Sequence, residues 1–178
     1  MPQPSAIPYA YWLVFGCYEP MLTMLGFIGT MLYPKQASEQ AHNHRHQAPW
    51  PAALDSSRPL PLATFVTMMQ LANATGLLGL VNFFILWAAR RYLFGQPALQ
   101  EKIVSALLTP LLIGDIVHLA ITLWALGDER WSVEKWKGSA TLLVTIVTGL
   151  SLLVPRIAWH LGIGRYVHSR DGGPEKKM

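Results

Sequence analysis

The chain has 178 residues, of which 52% are hydrophobic and only 13% are charged. Soluble domains carry about 25% charged residues, so this composition excludes an ordinary soluble enzyme and indicates a membrane protein. The net charge of +4 does not predict nucleic-acid binding, because the basic residues lie mostly at the ends of apolar blocks. The single cysteine, Cys17, excludes a disulfide within the chain.

Four apolar blocks are each long enough to cross a bilayer as a helix. We therefore predict an all-α polytopic membrane protein with four transmembrane helices in a bundle, forming one domain over residues 1–178. The predicted spans are 9–33, 62–93, 103–126 and 139–162, with a loop at 34–60 and a polar tail at 163–178. The first block is expected to be a retained span rather than a signal peptide, because it lacks a basic leading region and a clear cleavage site.

The long loop contains alternating histidines, His42, His44 and His46. In an extended segment they could bind a metal, but no cysteine or second cluster supports such a site, and a solvated loop is the expected structure. We predict no metal site. The chain also lacks a glycine-rich phosphate loop and a nucleophile motif, so no cofactor is predicted.

Span 3 carries the most informative polar residues. Asp115 lies near its middle, and His118 and Thr122 follow at helical spacing on the same face. An ionisable residue at this depth is costly unless it is buried in protein or lines a wet cavity. The other spans are therefore expected to cover this face, with His118 as a hydrogen-bond partner of Asp115.

Spans 1 and 2 supply polar residues at a similar depth. Glu19 lies near the centre of span 1 and is followed by Pro20, which cannot donate a backbone hydrogen bond and predicts a kink. In span 2 we expect Gln70, Asn73 and Asn82 to share one helix face, although such amides also serve simply to bind neighbouring helices.

Two carboxyl groups in an apolar bundle suit acid and base chemistry. If Glu19 and Asp115 lie close together, one can keep its proton while the other is ionised. A lipophilic substrate could then be protonated on an epoxide oxygen or an alkene while water, a hydroxyl or a carbon loses a proton. The competing interpretation is a structural polar network, since buried charges need partners in any case.

Several other residues are weaker candidates. Tyr18 and Trp124 could border a substrate cavity, although tyrosine and tryptophan in spans more often pack or anchor at the interface. Arg156 and His160 lie late in span 4, where an arginine is expected to extend its charged group towards the membrane surface. Asp115, Glu19 and His118 are thus the predicted catalytic residues, and Gln70, Asn73, Tyr18, Asn82 and Trp124 the predicted substrate-binding residues.

The sequence resembles a family of small fungal four-span membrane proteins that occur in secondary-metabolite pathways. Three segments carry the resemblance: Cys17-Tyr18-Glu19-Pro20, Gln70-Leu71-Ala72-Asn73 and Gly114-Asp115-Ile116-Val117-His118-Leu119. The resemblance implies a membrane epoxide hydrolase or cyclase acting on a polyketide. A looser likeness to membrane terpene cyclases, and to the sterol isomerase and sigma-2 receptor fold, implies a cyclase or double-bond isomerase instead.

We therefore expect an enzyme that opens an epoxide on a lipophilic polyketide or terpenoid. A terpene cyclase or double-bond isomerase is the alternative enzyme, and a non-catalytic lipid- or sterol-binding protein is the alternative of another class. The expected partners are the lipid bilayer and a lipophilic small molecule, with no nucleic acid. A homo-oligomer and an upstream monooxygenase that supplies the substrate are both compatible with the sequence.

The distribution of lysine and arginine predicts the topology. With four spans, seven basic residues fall on the side of both termini and six on the opposite side, where the long loop weakens the rule. Both termini are therefore expected in the cytosol, in a multi-pass protein of the endoplasmic reticulum.

Overall fold

The computed structural model describes residues 5–34, 37, 60–131 and 140–172. This part of the chain contains four helices that are long and apolar enough to cross a membrane, which confirms the predicted all-α, multi-pass architecture. The helices are α1 (Tyr9–Leu32), α2 (Leu62–Tyr92), α3 (Pro97–Ala125) and α4 (Ala140–His160), followed by the short α5 (His168–Asp171).

Helix α3 begins at Pro97, six residues before the predicted start of span 3 at residue 103. Proline is favoured in the first turn of a helix, where its missing N–H would have no partner within the helix. The prediction followed the apolar run and so missed this polar first turn, which carries Gln100 and Glu101.

The irregular backbone of α1 lies directly before Pro20. Residues Trp12–Tyr18 form a π-helix, and the Glu19 N–H donates to the Val14 carbonyl five residues back. The next bond in this series would run from residue 20 to Phe15, but Pro20 has no N–H. The side chain of Asn82 on α2 supplies the missing donor, with its Nδ2 3.2 Å from the Phe15 carbonyl oxygen. Asn82 thus fixes α2 against the π-helical segment.

Small residues on α2 allow α1 to approach closely. Gly76 and Gly79 are buried one turn apart, and a Cβ built on Gly76 would lie 2.9 Å from the Phe27 ring. At Gly79 a Cβ would collide with the Thr23 hydroxyl group. In membranes, where lipid is as apolar as the protein, such close approach lets van der Waals contacts and hydrogen bonds associate the helices.

A second set of polar contacts closes one end of the bundle. Gln100 Oε1 accepts hydrogen bonds from Ser5 Oγ at 2.9 Å and from the Ala6 N–H at 2.8 Å, and Gln100 Nε2 donates to the Ala89 carbonyl at 3.1 Å. The indole N–H of the buried Trp159 donates to the Ala6 carbonyl at 2.8 Å. The segment before α1 is therefore tied to α2, α3 and α4 at once.

The chain after α4 returns to the same end. Gly162 and Gly164 adopt positive φ values of 73° and 65°, a backbone conformation that residues other than glycine rarely adopt. This turn stacks Arg165 on the Trp159 ring, with Cζ 3.9 Å from the ring centroid, and lets Nη1 reach Glu101 at 2.6 Å. The segments before α1, between α2 and α3, and after α4 thus meet at one end of the bundle, which we call the terminal end.

The bond from Asn82 to Phe15 gives a testable coupling. In Asn82→Ala the Phe15 carbonyl loses its donor, and we expect stability to fall by about 1 kcal/mol. Adding Pro20→Ala restores a backbone N–H near that carbonyl, so the double variant should lose less than the sum of the two single effects. Unfolding in detergent micelles measures both. Asn73→Ala, an exposed amide on the same helix, is the matched control; strictly additive effects would contradict the proposed coupling.

Candidate functional site

A buried arginine joins the two acids that the sequence analysis singled out. Arg156 on α4 is 1% exposed. Its Nη1 donates to Asp115 Oδ2 on α3, and its Nη2 donates to Glu19 Oε1 on α1. The structure therefore brings Glu19 and Asp115 together as expected, but around a cation supplied by α4. We call these three residues the ion cluster.

The expectation that Arg156 extends towards the membrane surface is wrong. Moving a charge into a low-dielectric interior costs several kcal/mol, and two carboxylates that bind the same guanidinium group offset much of that cost. The position of Arg156 in the sequence already indicates that its charge is buried. Arg156 lies six residues inside the predicted end of span 4, whereas Arg90 and Arg91 occupy the last turn of their span.

An aromatic ring packs against the ion cluster, and a further polar contact joins α1 to α4. The Arg156 Cζ lies 5.7 Å from the centroid of the Phe15 ring, within the range of a cation–π contact. Phe15 belongs to the π-helical segment that leads into Glu19, so the same backbone irregularity positions both residues. Three residues further on, the Tyr18 hydroxyl group lies 3.1 Å from Ser151 Oγ and links α1 to α4 a second time.

Three buried polar atoms at this site have no hydrogen-bond partner among the described residues: Glu19 Oε2, Asn82 Oδ1 and Arg156 Nε. Buried polar atoms are almost always satisfied in native proteins, so each of these needs an explanation such as water, a proton or a ligand. Two of them are acceptors and one is a donor. The site can therefore accept a hydrogen bond from a bound hydroxyl group, or from a proton carried by one of its own carboxyl groups.

The charge of the ion cluster limits what it can do. Two ionised carboxylates and one guanidinium group carry a net charge of −1, which is costly at bilayer depth. The charge is balanced if one carboxyl group keeps its proton or if a cationic ligand binds. Because the two acids share Arg156, a proton lost from one alters the field at the other. The arrangement can thus hold one transferable proton in an apolar setting.

The other predicted site residues divide into two groups. Asn82 is buried and adjoins Glu19, and Tyr18 is partly buried against α4. In contrast, four other side chains that were predicted to belong to the site are exposed on the outer surface of their helices: Gln70, Asn73, His118 and Trp124. Nothing in the described contacts connects these four residues to the ion cluster.

Two geometric expectations fail for identifiable reasons. The amides of span 2 do not share a face, because the nine residues from Asn73 to Asn82 make about two and a half helical turns and place them on opposite sides. His118 is one turn from Asp115, but no hydrogen bond joins them in the described part of the chain. Asp115 pairs with Arg156 instead, since a buried carboxylate gains more from a guanidinium group than from an exposed imidazole.

The described residues include no group of three or more His, Cys, Asp or Glu side chains placed to hold a metal ion. His42, His44 and His46 lie outside the described residues.

The fold and the ion cluster define a class: a small four-helix multi-pass membrane protein with an arginine–dicarboxylate group inside its bundle. The chain belongs to the family described as "Domain of unknown function (DUF7704)", whose profile matches residues 4–166. The match includes all four membrane-spanning helices and every residue of the ion cluster. Neither the comparison with curated proteins nor the comparison with solved structures finds a match.

Removing the cation should destabilise the bundle. In Arg156→Met two buried carboxylates lose their partner, and we expect a loss of about 3–5 kcal/mol of stability, the usual range for a broken buried ion pair. Adding Glu19→Gln and Asp115→Asn removes the unpaired charges and should restore part of that loss. Unfolding in detergent with a matched exposed control, Arg170→Gln, measures the effect. Equal stability of Arg156→Met and the wild type would contradict the burial of this charge.

Proposed function

We propose that this protein is an integral-membrane acid/base enzyme that opens an epoxide on a lipophilic polyketide or terpenoid, by hydrolysis or by intramolecular cyclisation. The observation that supports the proposal is the ion cluster, in which two carboxyl groups share one arginine and Glu19 Oε2 has no hydrogen-bond partner among the residues that the structure describes. A purely structural ion pair needs one acid for one base. The second acid is the group available for proton transfer.

The surroundings of the two acids favour Glu19 as the proton donor and Asp115 as the base. A base must reach the water or substrate hydroxyl group from which it takes a proton, and the Asp115 side chain is 17% exposed whereas the Glu19 side chain is 7% exposed. Arg156 touches both carboxyl groups and would act as a positioning residue. Asn82, adjacent to Glu19, would orient the acid or a substrate hydroxyl group.

The proposed step balances without a cofactor. Glu19 gives its proton to the epoxide oxygen as the C–O bond of the ring breaks. Water or a hydroxyl group of the substrate attacks the carbon and forms the new C–O bond, while its proton passes to Asp115. A proton then returns from Asp115 to Glu19 through the shared cluster or through water. One of the two acids carries a proton before and after the transfer, so the positive charge of Arg156 balances the one remaining carboxylate.

The test compares wild type with Glu19→Gln and Asp115→Asn in cells that make epoxide-bearing polyketides or terpenoids. These variants keep the shape of each side chain, and we expect product formation to fall by at least about a hundredfold, the scale of general acid–base catalysis. The matched control is Asp128→Asn, which makes the same acid-to-amide exchange at an exposed position after the end of α3. Unchanged turnover in both amide variants, at equal membrane levels, would rule out the acid/base mechanism.

The same experiment separates the alternatives. A terpene cyclase or double-bond isomerase also needs an acid. Its substrate, however, is a polyene, and its product forms without the opening of an epoxide. A lipid- or sterol-binding protein would keep its ligand in both amide variants. A structural network, favoured by the link that Arg156 makes between three helices, predicts lower membrane levels and early unfolding with no product in the wild type.

We also propose that both termini lie in the cytosol and that the protein resides in the endoplasmic reticulum, where an upstream monooxygenase could release a lipophilic epoxide into the same membrane. The proposal is supported by the gathering of Arg90, Arg165 and the segment before α1 at the terminal end. Reporter fusions that are glycosylated only in the lumen test it. We expect a C-terminal fusion to stay unmodified and an insertion in the predicted loop at 34–60 to be modified; the reverse result would invert the topology.

A further inference from the structure

A cavity of about 350 Å³ opens at the terminal end of the bundle and shares no residue with the ion cluster. It lies between α1, the last turns of α2 and Phe94, the second residue after that helix. Its lining combines three aromatic rings with two adjacent arginines: Trp12, Trp87, Phe94, Arg90 and Arg91. Its volume falls in the range of small-molecule sites, about 300–1,000 Å³.

The two arginines differ in the contacts that hold their side chains. Arg90 is held in place, because its Nη1 donates to the Ile7 carbonyl at 3.3 Å and its Cζ lies 5.8 Å from the Tyr9 ring centroid and 5.4 Å from that of Trp12. Arg91 is exposed and makes no ion pair with any described residue. The lining of this cavity contains no acid. The cavity therefore presents two positive charges, one of them fixed and the other free to bind.

The cavity changes from charged to apolar along the helix. Arg90 and Arg91 belong to the last turn of α2, while Trp87 lies about one turn deeper and packs edge-on against Tyr92, with 5.7 Å between ring centroids. Tryptophan and tyrosine at this position mark the level of lipid headgroups. A free phosphate ion would use only the arginines, whereas an amphiphile would also fill the aromatic part.

We propose that this cavity binds the headgroup of an anionic phospholipid, with the phosphate on Arg90 and Arg91 and the glycerol and upper acyl chains against Trp12 and Trp87. Guanidinium groups bind phosphate oxygens through paired, charge-assisted hydrogen bonds, and two arginines discriminate in favour of a headgroup with net negative charge. The site is independent of the proposed enzyme reaction. It would fix the terminal end of the bundle at the membrane surface.

The experiment uses the purified full-length protein in mild detergent, titrated with phosphatidic acid and, separately, with phosphatidylcholine carrying the same acyl chains. Bound lipid is counted by native mass spectrometry. We expect phosphatidic acid to bind at one site and phosphatidylcholine to bind about tenfold more weakly. In Arg91→Gln the affinity for phosphatidic acid should fall about tenfold, the loss expected from one charged hydrogen-bonding partner.

Lys102→Gln is the matched control, because it removes the same charge from an exposed position at the terminal end but outside the lining. We expect it to leave the affinity unchanged. An equal loss of affinity in Arg91→Gln and Lys102→Gln would show that the effect comes from general surface charge, and would contradict the proposed site. Equal binding of the two lipids, or displacement of phosphatidic acid by inorganic phosphate at the same concentration, would also overturn it.

Discussion

Arg156 and its two carboxylates connect α4 to α1 and α3 through a single guanidinium group. In a bilayer the helices gain little from hydrophobic burial against one another, so their arrangement depends on close packing and on polar contacts. An unpaired charge at this depth would be costly, and any arrangement that moves Arg156 away from both acids leaves its charge unpaired. The ion cluster therefore restricts the relative positions of three helices.

The fourth helix, α2, enters this arrangement through backbone chemistry. Pro20 follows Glu19 and removes one donor from α1, and Asn82 replaces it by donating to the Phe15 carbonyl. Gly76 and Gly79 allow the close approach that this bond requires. The residue that carries the acid, the π-helical segment before it and the asparagine beside it thus form one unit. A local defect in α1 is used to position a polar site rather than to end the helix.

The polar contacts of the bundle are arranged at two levels. The terminal end contains paired groups with ordinary geometry, including Gln100 with the segment before α1 and Arg165 with Glu101. In the ion cluster two buried atoms, Glu19 Oε2 and Arg156 Nε, have no hydrogen-bond partner in the described part of the chain. Satisfied networks stabilise a fold, and unsatisfied ones indicate where a protein exchanges protons or binds a ligand. This contrast supports the proposal that the chemistry takes place at the ion cluster, which also holds three helices together.

The sequence by itself determined the four spans and the depth of Glu19 and Asp115, because apolar length and position along a helix are local properties. The tertiary structure decided which side chains face inward. Arg156 turned out to be the partner of both acids, and His118, Gln70, Asn73 and Trp124 lie on outer surfaces. The rotation of each helix about its axis follows from its neighbours, here from the glycine contact between α1 and α2 and from the charges that pair across the bundle. Those contacts join residues far apart in the chain, so spacing within one span does not reveal them.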